Sequence, residues 1–317
     1  MDLEDFSEEN NGHIFMELAM SLAEIQTDIR AIEEELVCRE EINFGQRADV
    51  LDFIDFHIIR RIEAVMQHNE SSKELRELLR RAVNAKCVLE KIDADLFIKL
   101  RGQIRSGVLS GTIFSEVVQT YFETTYGDDR YFDQIGYDSL DTFINGILSD
   151  HPVPESILQR KPEMIFYQKT PARIIMRLAA CISRDDIFFD LGSGLGQAAV
   201  LVNLISRAIS KGIEYEPAYH RYATACASDL KLSNVEFTQG DVREADFKKG
   251  TVFFMYTQFE GNILDAMLEI LRKESLKRTI RIFTYGPCSA QVAQQQWLTH
   301  EGSKTDDCYT LYEFTSS

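Results

Sequence analysis

The sequence predicts an α/β protein in two parts, an all-helical N-terminal domain over residues 1–150 and a doubly wound sheet over residues 151–317. Three observations predict this. No proline occurs before residue 152, and then Pro152, Pro154, Pro162 and Pro171 arrive within twenty residues. Upstream of that cluster, apolar residues recur at helical spacing. Downstream, short apolar runs alternate with helical stretches. An interior proline costs a helix about 3 kcal/mol, so long helices exclude it. Strand–helix alternation builds a doubly wound sheet that binds ligands at the carboxyl ends of its strands.

In the first part, Ile14, Leu18, Leu22, Ile25, Ile29, Ile32 and Leu36 fall three or four apart and form one apolar stripe on a long helix. A second helix is expected over about 47–67, through Val50, Leu51, Ile54, Ile58, Ile62 and Val65. Ser71-Ser72 is placed to cap a third, running through Leu75, Leu78, Leu79, Val83 and Val88 toward Leu100. Gly107 and Gly111 interrupt the pattern before a helix at Ile113–Phe122, and a short helix is expected at 139–148. The first stripe suits packing within a bundle, and it also suits a homodimer formed through the N-terminal helices. The pairs Arg60-Arg61 and Arg80-Arg81 read as solvated helix faces.

In the second part, strands are expected at Ile187–Phe189, Lys211–Ile213, Asn234–Thr238, Thr251–Tyr256, Thr279–Tyr285 and Tyr309–Phe314. Helices are expected at Gln197–Ile209, Ala218–Leu230 and Ile263–Lys273, with a short one at about 289–298 that Trp297 packs onto the sheet.

Composition narrows the function classes. The 317 residues are 44% hydrophobic and 10% aromatic, as expected of a chain with a full core. The start, Met1-Asp2-Leu3-Glu4-Asp5, is acidic and has no apolar leader, and no apolar run approaches the roughly 20 residues of a membrane span. A cytoplasmic location without membrane association is the expectation. The net charge is −17, and residues 1–160 carry 32 acidic against 16 basic residues, so duplex nucleic acid is not an expected partner. The acidic half is instead suited to solubility or to a basic partner. Six dispersed cysteines and six dispersed histidines form no ligand-spaced cluster, so no metal is expected and the thiols read as reduced.

The chemistry concentrates in Asp190-Leu191-Gly192-Ser193-Gly194-Leu195-Gly196-Gln197, which joins a buried apolar run to a helix start. Glycine lets a ligand approach the turning backbone. The carboxylate at the strand end repels phosphate but suits an ammonium or sulfonium, which favours S-adenosylmethionine over a pyrophosphate cofactor. Glu214 ends the second strand, eighteen residues after Gly196, where a carboxylate can accept both ribose hydroxyls. Gly240-Asp241-Val242 ends the third, with Asp241 placed for an adenine amino group. Tyr215 and Val242 then offer flat apolar surfaces to the ring. Met255-Tyr256-Thr257-Gln258-Phe259-Glu260 ends the fourth strand, beside the expected reacting group.

These residues resemble the class I S-adenosylmethionine-dependent methyltransferases over about residues 163–317. The glycine motif at 190–196, the acidic residue at 214 and the Gly-Asp at 240–241 match that family's first three motifs in order and spacing. The resemblance implies a Rossmann-like methyltransferase sheet, with Asp190, Gly192 and Gly194 lining the methionine end, Glu214 at the ribose and Asp241 at the adenine; Ser193, Gly196, Gln197 and Tyr256 are further expected cofactor-binding residues. Tyr167 is expected to close over the methionine carboxylate. The cofactor motifs look most like those of the non-SET histone lysine methyltransferases. Two departures accompany that likeness. Tyr256-Thr257-Gln258-Phe259 replaces their asparagine-rich segment, and it also differs from the Asn/Asp-Pro-Pro-aromatic motif of enzymes that methylate amino nitrogens on bases or glutamine.

The implied reaction is an in-line methyl transfer to an N or O nucleophile on a protein or small-molecule acceptor. Alignment supplies about 7–11 kcal/mol at best, and a base is needed only for a protonated nucleophile. Tyr256, Glu260 and Tyr285 are the candidates for steering or deprotonating it. Cys288 lacks a partner histidine nearby in sequence, and His220 reads as structural. An N-terminal domain that covers the site and selects the substrate fits this reading. Two alternatives stand beside it. One is a cofactor-sensing binding protein with a non-catalytic methyltransferase fold. The other, an NAD-dependent oxidoreductase, is disfavoured by the G-x-G-x-G spacing and by Asp190.

Overall fold

The computed structural model describes residues 22–67, 72–122, 136–158, 168–256, 261–301 and 307–317. The chain divides into two compact units, Met1–Phe97 and Ile98–Ser317. The division falls inside a helix.

In the first unit, helix α1 covers 22–34, α2 Phe44–Phe53, a π-helical segment Ile54–Ile59 and α3 Arg60–Met66. Helix α4, Lys73–Arg105, runs on into the second unit. Ser72 caps α4, its Oγ accepting from the Leu75 amide at 3.3 Å. The apolar stripe converges on one core made by Ile25, Ile29, Ile54, Ile58, Ile62, Leu75, Leu78 and Leu89. Three expected stripe members do not join it. Leu36 lies past the end of α1 and is 68% exposed, while Val83 and Val88 are exposed because the buried face of α4 passes through Ala82 and Leu89 instead. Residues 14 and 18 of the stripe lie outside the described residues.

One buried cation organises this unit. Arg47 is fully buried, and its Nε donates to Asp93 Oδ1 at 2.6 Å. Its Nη1 donates to the Cys38 and Glu40 carbonyls. A buried charge is tolerated only when paired and hydrogen-bonded, and removing one partner strands the other. Arg47→Leu is therefore expected to lower stability by about 3–5 kcal/mol. Urea unfolding of the full chain followed by circular dichroism checks this, and a loss below the scatter of surface substitutions refutes it.

The second unit begins with the end of α4 and continues with α5, Thr112–Tyr121, and α6, Ser139–Leu148. Asp138 and Asp141 form a capping box at the start of α6. Helix α7, Ala172–Ala180, leads into the sheet. Helix α6 packs against α7, and both α5 and α6 pack against the helix after it; residues 98–148 lie in the same unit as the sheet. The sheet and its connections then follow in order: β1 Ile187–Leu191, α8 Gln197–Ser206, β2 Ile209–Glu214, α9 Pro217–Asp229 and β3 Val235–Gln239. They continue as β4 Val252–Tyr256, α10 Gly261–Ser275, β5 Arg281–Tyr285, α11 Cys288–Val292, β6 Leu298–Glu301 and β7 Tyr312–Ser316.

The seven strands lie in the order β3-β2-β1-β4-β5-β7-β6. The first five are parallel, while β7 runs antiparallel to β5 and to β6. One face carries Phe189, Leu191, Phe253, Met255 and Ile282, and buries them against Leu264, Met267, Leu268 and Leu271 of α10. Period-two alternation sends Phe188, Phe254 and Phe283 to the other face, where they are also fully buried. Two boundaries differ from expectation. Helix α8 stops at Ser206 because Arg207 turns left-handed, with φ 62°, and Ile209 opens β2. The helix expected to reach 298 ends at Val292, and Leu298 begins the edge strand β6. Trp297 packs against the sheet core. Among the described residues no helix is long and apolar enough to cross a membrane.

Candidate cofactor site

The neighbouring strands β1 and β4 are followed by connections that cross to opposite sides of the sheet, to β2 and to β5, and a crevice opens at their carboxyl ends where the order switches. Asp190, Glu214 and Tyr256 stand at the tips of β1, β2 and β4. The glycine turn that follows β1 is held to β2 by the Gly192 and Ser193 amides, which donate to the Ile213 carbonyl at 3.0 and 2.9 Å.

Two glycines are needed for close approach. Gly196 caps α8 at φ 82°, and a Cβ there would lie 2.5 Å from the Phe237 ring and 2.7 Å from Ala223 Cβ. A Cβ on Gly212, in the middle of β2, would meet Phe237 at 2.5 Å and Ser193 Oγ at 2.6 Å. Gly212→Ala is expected to destabilise the fold by about 1–3 kcal/mol through overpacking. A thermal midpoint equal to that of the parent chain would contradict this.

Asp190 is 5% exposed and makes no hydrogen bond or ion pair among the described residues. Burial, and then the neighbouring Glu214 charge, push its carboxyl up to about 7. Glu214 is also buried. Its Oε2 accepts from the Gly194 amide at 2.6 Å and its Oε1 from the Glu216 amide at 2.7 Å. Burial raises this carboxyl too, against the lowering effect of those amides. Each Glu214 oxygen keeps a further lone pair, so the side chain can brace the turn and still accept from a ligand.

A narrow recess of about 20 Å³ lies at this junction, bordered by Asp190, Gly192, Ser193, Gln197, Gln168 and Tyr256. It is the size of one small group. The Gln197 carboxamide, 8% exposed, has neither oxygen nor nitrogen partnered, and the buried Ser193 Oγ is likewise without a partner. Such orphan groups cost stability unless something satisfies them. Gln197 also borders a second recess with Asn145, Lys169 and Tyr222. There Lys169 Nζ donates to Asn145 Oδ1 at 3.3 Å, and burial holds its ammonium below the usual lysine range.

The other expected residues are placed as follows. The Tyr256 hydroxyl faces Gln168 Oε1 at 3.3 Å. Tyr285 lies behind Tyr256, ring to ring at 5.1 Å, is 3% exposed and does not border the recess. Burial pushes its hydroxyl upward, away from the range of a base. Asp241 follows β3, but Arg243 engages both of its oxygens, at 2.9 and 2.6 Å, leaving it less free for an adenine amino group than the sequence suggests. Tyr215 is half-buried and Val242 is buried. Tyr167 and Glu260, with the rest of 257–260, lie outside the described residues. Cys288 is buried and directs its Sγ to the Met255 carbonyl, and His220 faces the Phe237 carbonyl. Gln168, Thr170, Ile175 and Ala198 also border the recess, and no spacing or motif marks them in the sequence. Glu216 is a further addition. It caps α9 at Ala218 and accepts from Ser156 and Leu158, which ties the proline-rich segment to the tip of β2.

Parts of this chain, between about a third and a half of its length, are similar to solved structures of methyltransferases. One similar structure is an RNA methyltransferase from Salinibacter ruber in complex with S-adenosyl-L-homocysteine, at 24% identity over 47% of this chain and 92% of that one, TM-score 0.38. Another is a SAM-dependent methyltransferase from Thiobacillus denitrificans with the same ligand, at 18% identity over 36% of this chain and 47% of that one, TM-score 0.31. A third is a precorrin-6y C5,15-methyltransferase from Geobacter metallireducens GS-15, at 12% identity over 49% and 92%, TM-score 0.37. This chain thus spans about half the length of the Thiobacillus protein. No protein-family model matches the chain, and no curated protein matches it in sequence.

Proposed function

We propose that this protein is an S-adenosylmethionine-dependent methyltransferase acting on an N or O nucleophile of a protein or small molecule. The observation that carries the reading is the Asp190 carboxyl, buried without a cation beside the unpartnered Gln197 carboxamide. A site built this way lacks one small cationic donor. The recess has room for an ammonium, with Asp190 and Gln197 Oε1 as acceptors. Lys169, in the adjoining recess, suits the methionine carboxylate, and Glu214 accepts the ribose hydroxyls while holding Gly194. Val242 and Tyr215 supply apolar surface for the base.

S-adenosylmethionine, when bound, supplies a methyl group already activated on a sulfonium. The residues of this chain orient and exclude. Asp190 fixes the cationic end, and the glycine turn lets the backbone come close. Tyr256, steadied by Tyr285 and by Gln168, shapes the wall beside the acceptor. The cofactor motifs resemble those of the non-SET histone lysine methyltransferases, while Tyr256-Thr257-Gln258-Phe259 departs from them, so a protein amine and a small molecule both stand as acceptors. The absence of a cation at Asp190 also speaks against a dinucleotide, whose pyrophosphate would meet a buried carboxylate.

Calorimetric titration with S-adenosylmethionine and S-adenosylhomocysteine, alongside NAD, tests the cofactor. Tight binding of the first two and none of the third is expected. Radiolabelled methyl transfer to fractionated lysate then tests the reaction. Binding without any labelled acceptor would favour a cofactor-sensing protein, and absence of binding would sink the reading outright.

A further inference from the structure

We propose that a basin at the amino-terminal end of the sheet is a second ligand site, and that it takes a compact small molecule bearing several phosphoryl groups. The basin encloses about 310 Å³, which lies within the size range of small-molecule sites. Four separated stretches bring Arg105, Arg184, Arg207 and Lys231 to its wall, with Ser233 and Asn234 among the neutral polar groups, and no carboxylate of the described residues borders it. In a chain of net charge −17, such a grouping concentrates uncompensated positive charge in one concavity.

None of the four cations forms an ion pair among the described residues. Of the carboxylates close to them in sequence, Asp185 is exposed and does not border the basin, and two others are engaged elsewhere. Asp229 meets His151 Nε2 at 2.7 Å, and Asp186 meets Arg281 at 2.8 Å. Arg105 Nε donates to the Asp229 carbonyl and Arg207 Nη2 to Ser110 Oγ. Each guanidinium therefore retains other N–H donors.

A cation near a helix carboxyl terminus is stabilised by the helix dipole. Arg105 ends α4, Arg207 follows α8 and Lys231 follows α9, so this effect accounts for one charge at each of three ends. It does not account for their convergence on one cavity free of carboxylates, nor for Arg184, which ends no helix. It also fails to explain the residues chosen at 207 and 231. Both are left-handed, at φ 62° and 56°, where glycine is favoured by roughly 1–2 kcal/mol. Three guanidinium forks suit the bidentate contacts of phosphoryl oxygens. The concave shape and the acidic field of the chain favour a compact polyphosphate over a nucleic acid duplex.

The left-handed positions supply a clean test. In Arg207→Gly/Lys231→Gly, two charges are lost while the backbone is relieved, so the fold is preserved or strengthened. Calorimetric titration of the full chain with tripolyphosphate, and in parallel with ATP, is expected to show binding that weakens with added salt. The double variant is expected to bind at least ten-fold more weakly, with a melting temperature equal to or above that of the parent and unaltered S-adenosylmethionine binding. Three results would overturn the proposal: no binding of either probe by the parent chain, equal affinity in the double variant, or a short RNA duplex that outcompetes ATP. None of these depends on whether the recess at Asp190 binds a cofactor.

Discussion

Glu214→Ala is expected to weaken S-adenosylmethionine binding by about a hundred-fold or more. Two effects add. The Gly194 and Glu216 amides, held at 2.6 and 2.7 Å in the parent, lose their acceptor in a buried setting. Each unsatisfied amide costs about 1–3 kcal/mol, so the glycine turn relaxes away from its bound geometry. On the proposed reading the ribose hydroxyls lose their partner as well. A hundred-fold change corresponds to about 2.7 kcal/mol, which the two amides alone can supply. Glu214→Gln keeps one accepting oxygen and points an NH₂ at the other amide, so an intermediate loss is expected. Calorimetry on both variants decides the matter. Affinity within three-fold of the parent for the alanine variant would remove Glu214 from the site.

The second large effect is a dependence on pH centred near neutrality. The Asp190 carboxyl titrates at about 7 in the fold, against 3.8 when solvated. Its folded value is raised, so the native chain holds a proton that the unfolded chain has lost between about pH 4 and 7. Stability is therefore greatest at the acid end of that window and declines as pH rises through 7. The shift corresponds to a decline of about 4 kcal/mol. Glu214, also pushed up by burial, steepens the same slope. Asp190→Asn is then expected to match the parent near pH 4 and to exceed it by several kcal/mol at pH 8.

Ligand binding runs the opposite way. A cation in the recess favours ionised Asp190, so S-adenosylmethionine affinity rises with pH, up to about ten-fold per unit, and levels off above 7. Binding below that point releases a proton. Calorimetry in buffers of different ionisation enthalpy reads the proton directly. A flat profile in the parent, or an unchanged slope in Asp190→Asn, would show that Asp190 does not face the cation. The stabilised but impaired variant would be an instance of a site that trades stability for function.

The central strands β1 and β4 were legible because they are buried on both faces and therefore read as unbroken apolar runs, Ile187-Phe188-Phe189 and Val252-Phe253-Phe254-Met255. Strand β6 was not, since Leu298-Thr299-His300-Glu301 is a short edge with no alternation to detect. The end of α1 was misplaced because Leu36 keeps the helical spacing while lying beyond the last turn, exposed. The glycine turn after β1 was legible because close backbone approach forces glycine at fixed offsets. Arg47 gave no signal, as a lone arginine on a helix reads like any surface charge until Asp93 arrives from 46 residues away.

What the sequence determined by itself was the class of fold and the position of the glycine turn after β1, since both are set by local rules of burial and turn geometry. The tertiary structure alone decided three further matters. It showed Asp190 without a counter-ion, Asp241 held by Arg243, and four cations from residues 105, 184, 207 and 231 on one basin. Each of these depends on which distant side chains come together, or fail to, and electrostatic and hydrogen-bond partners of that kind are settled only when the chain closes on itself.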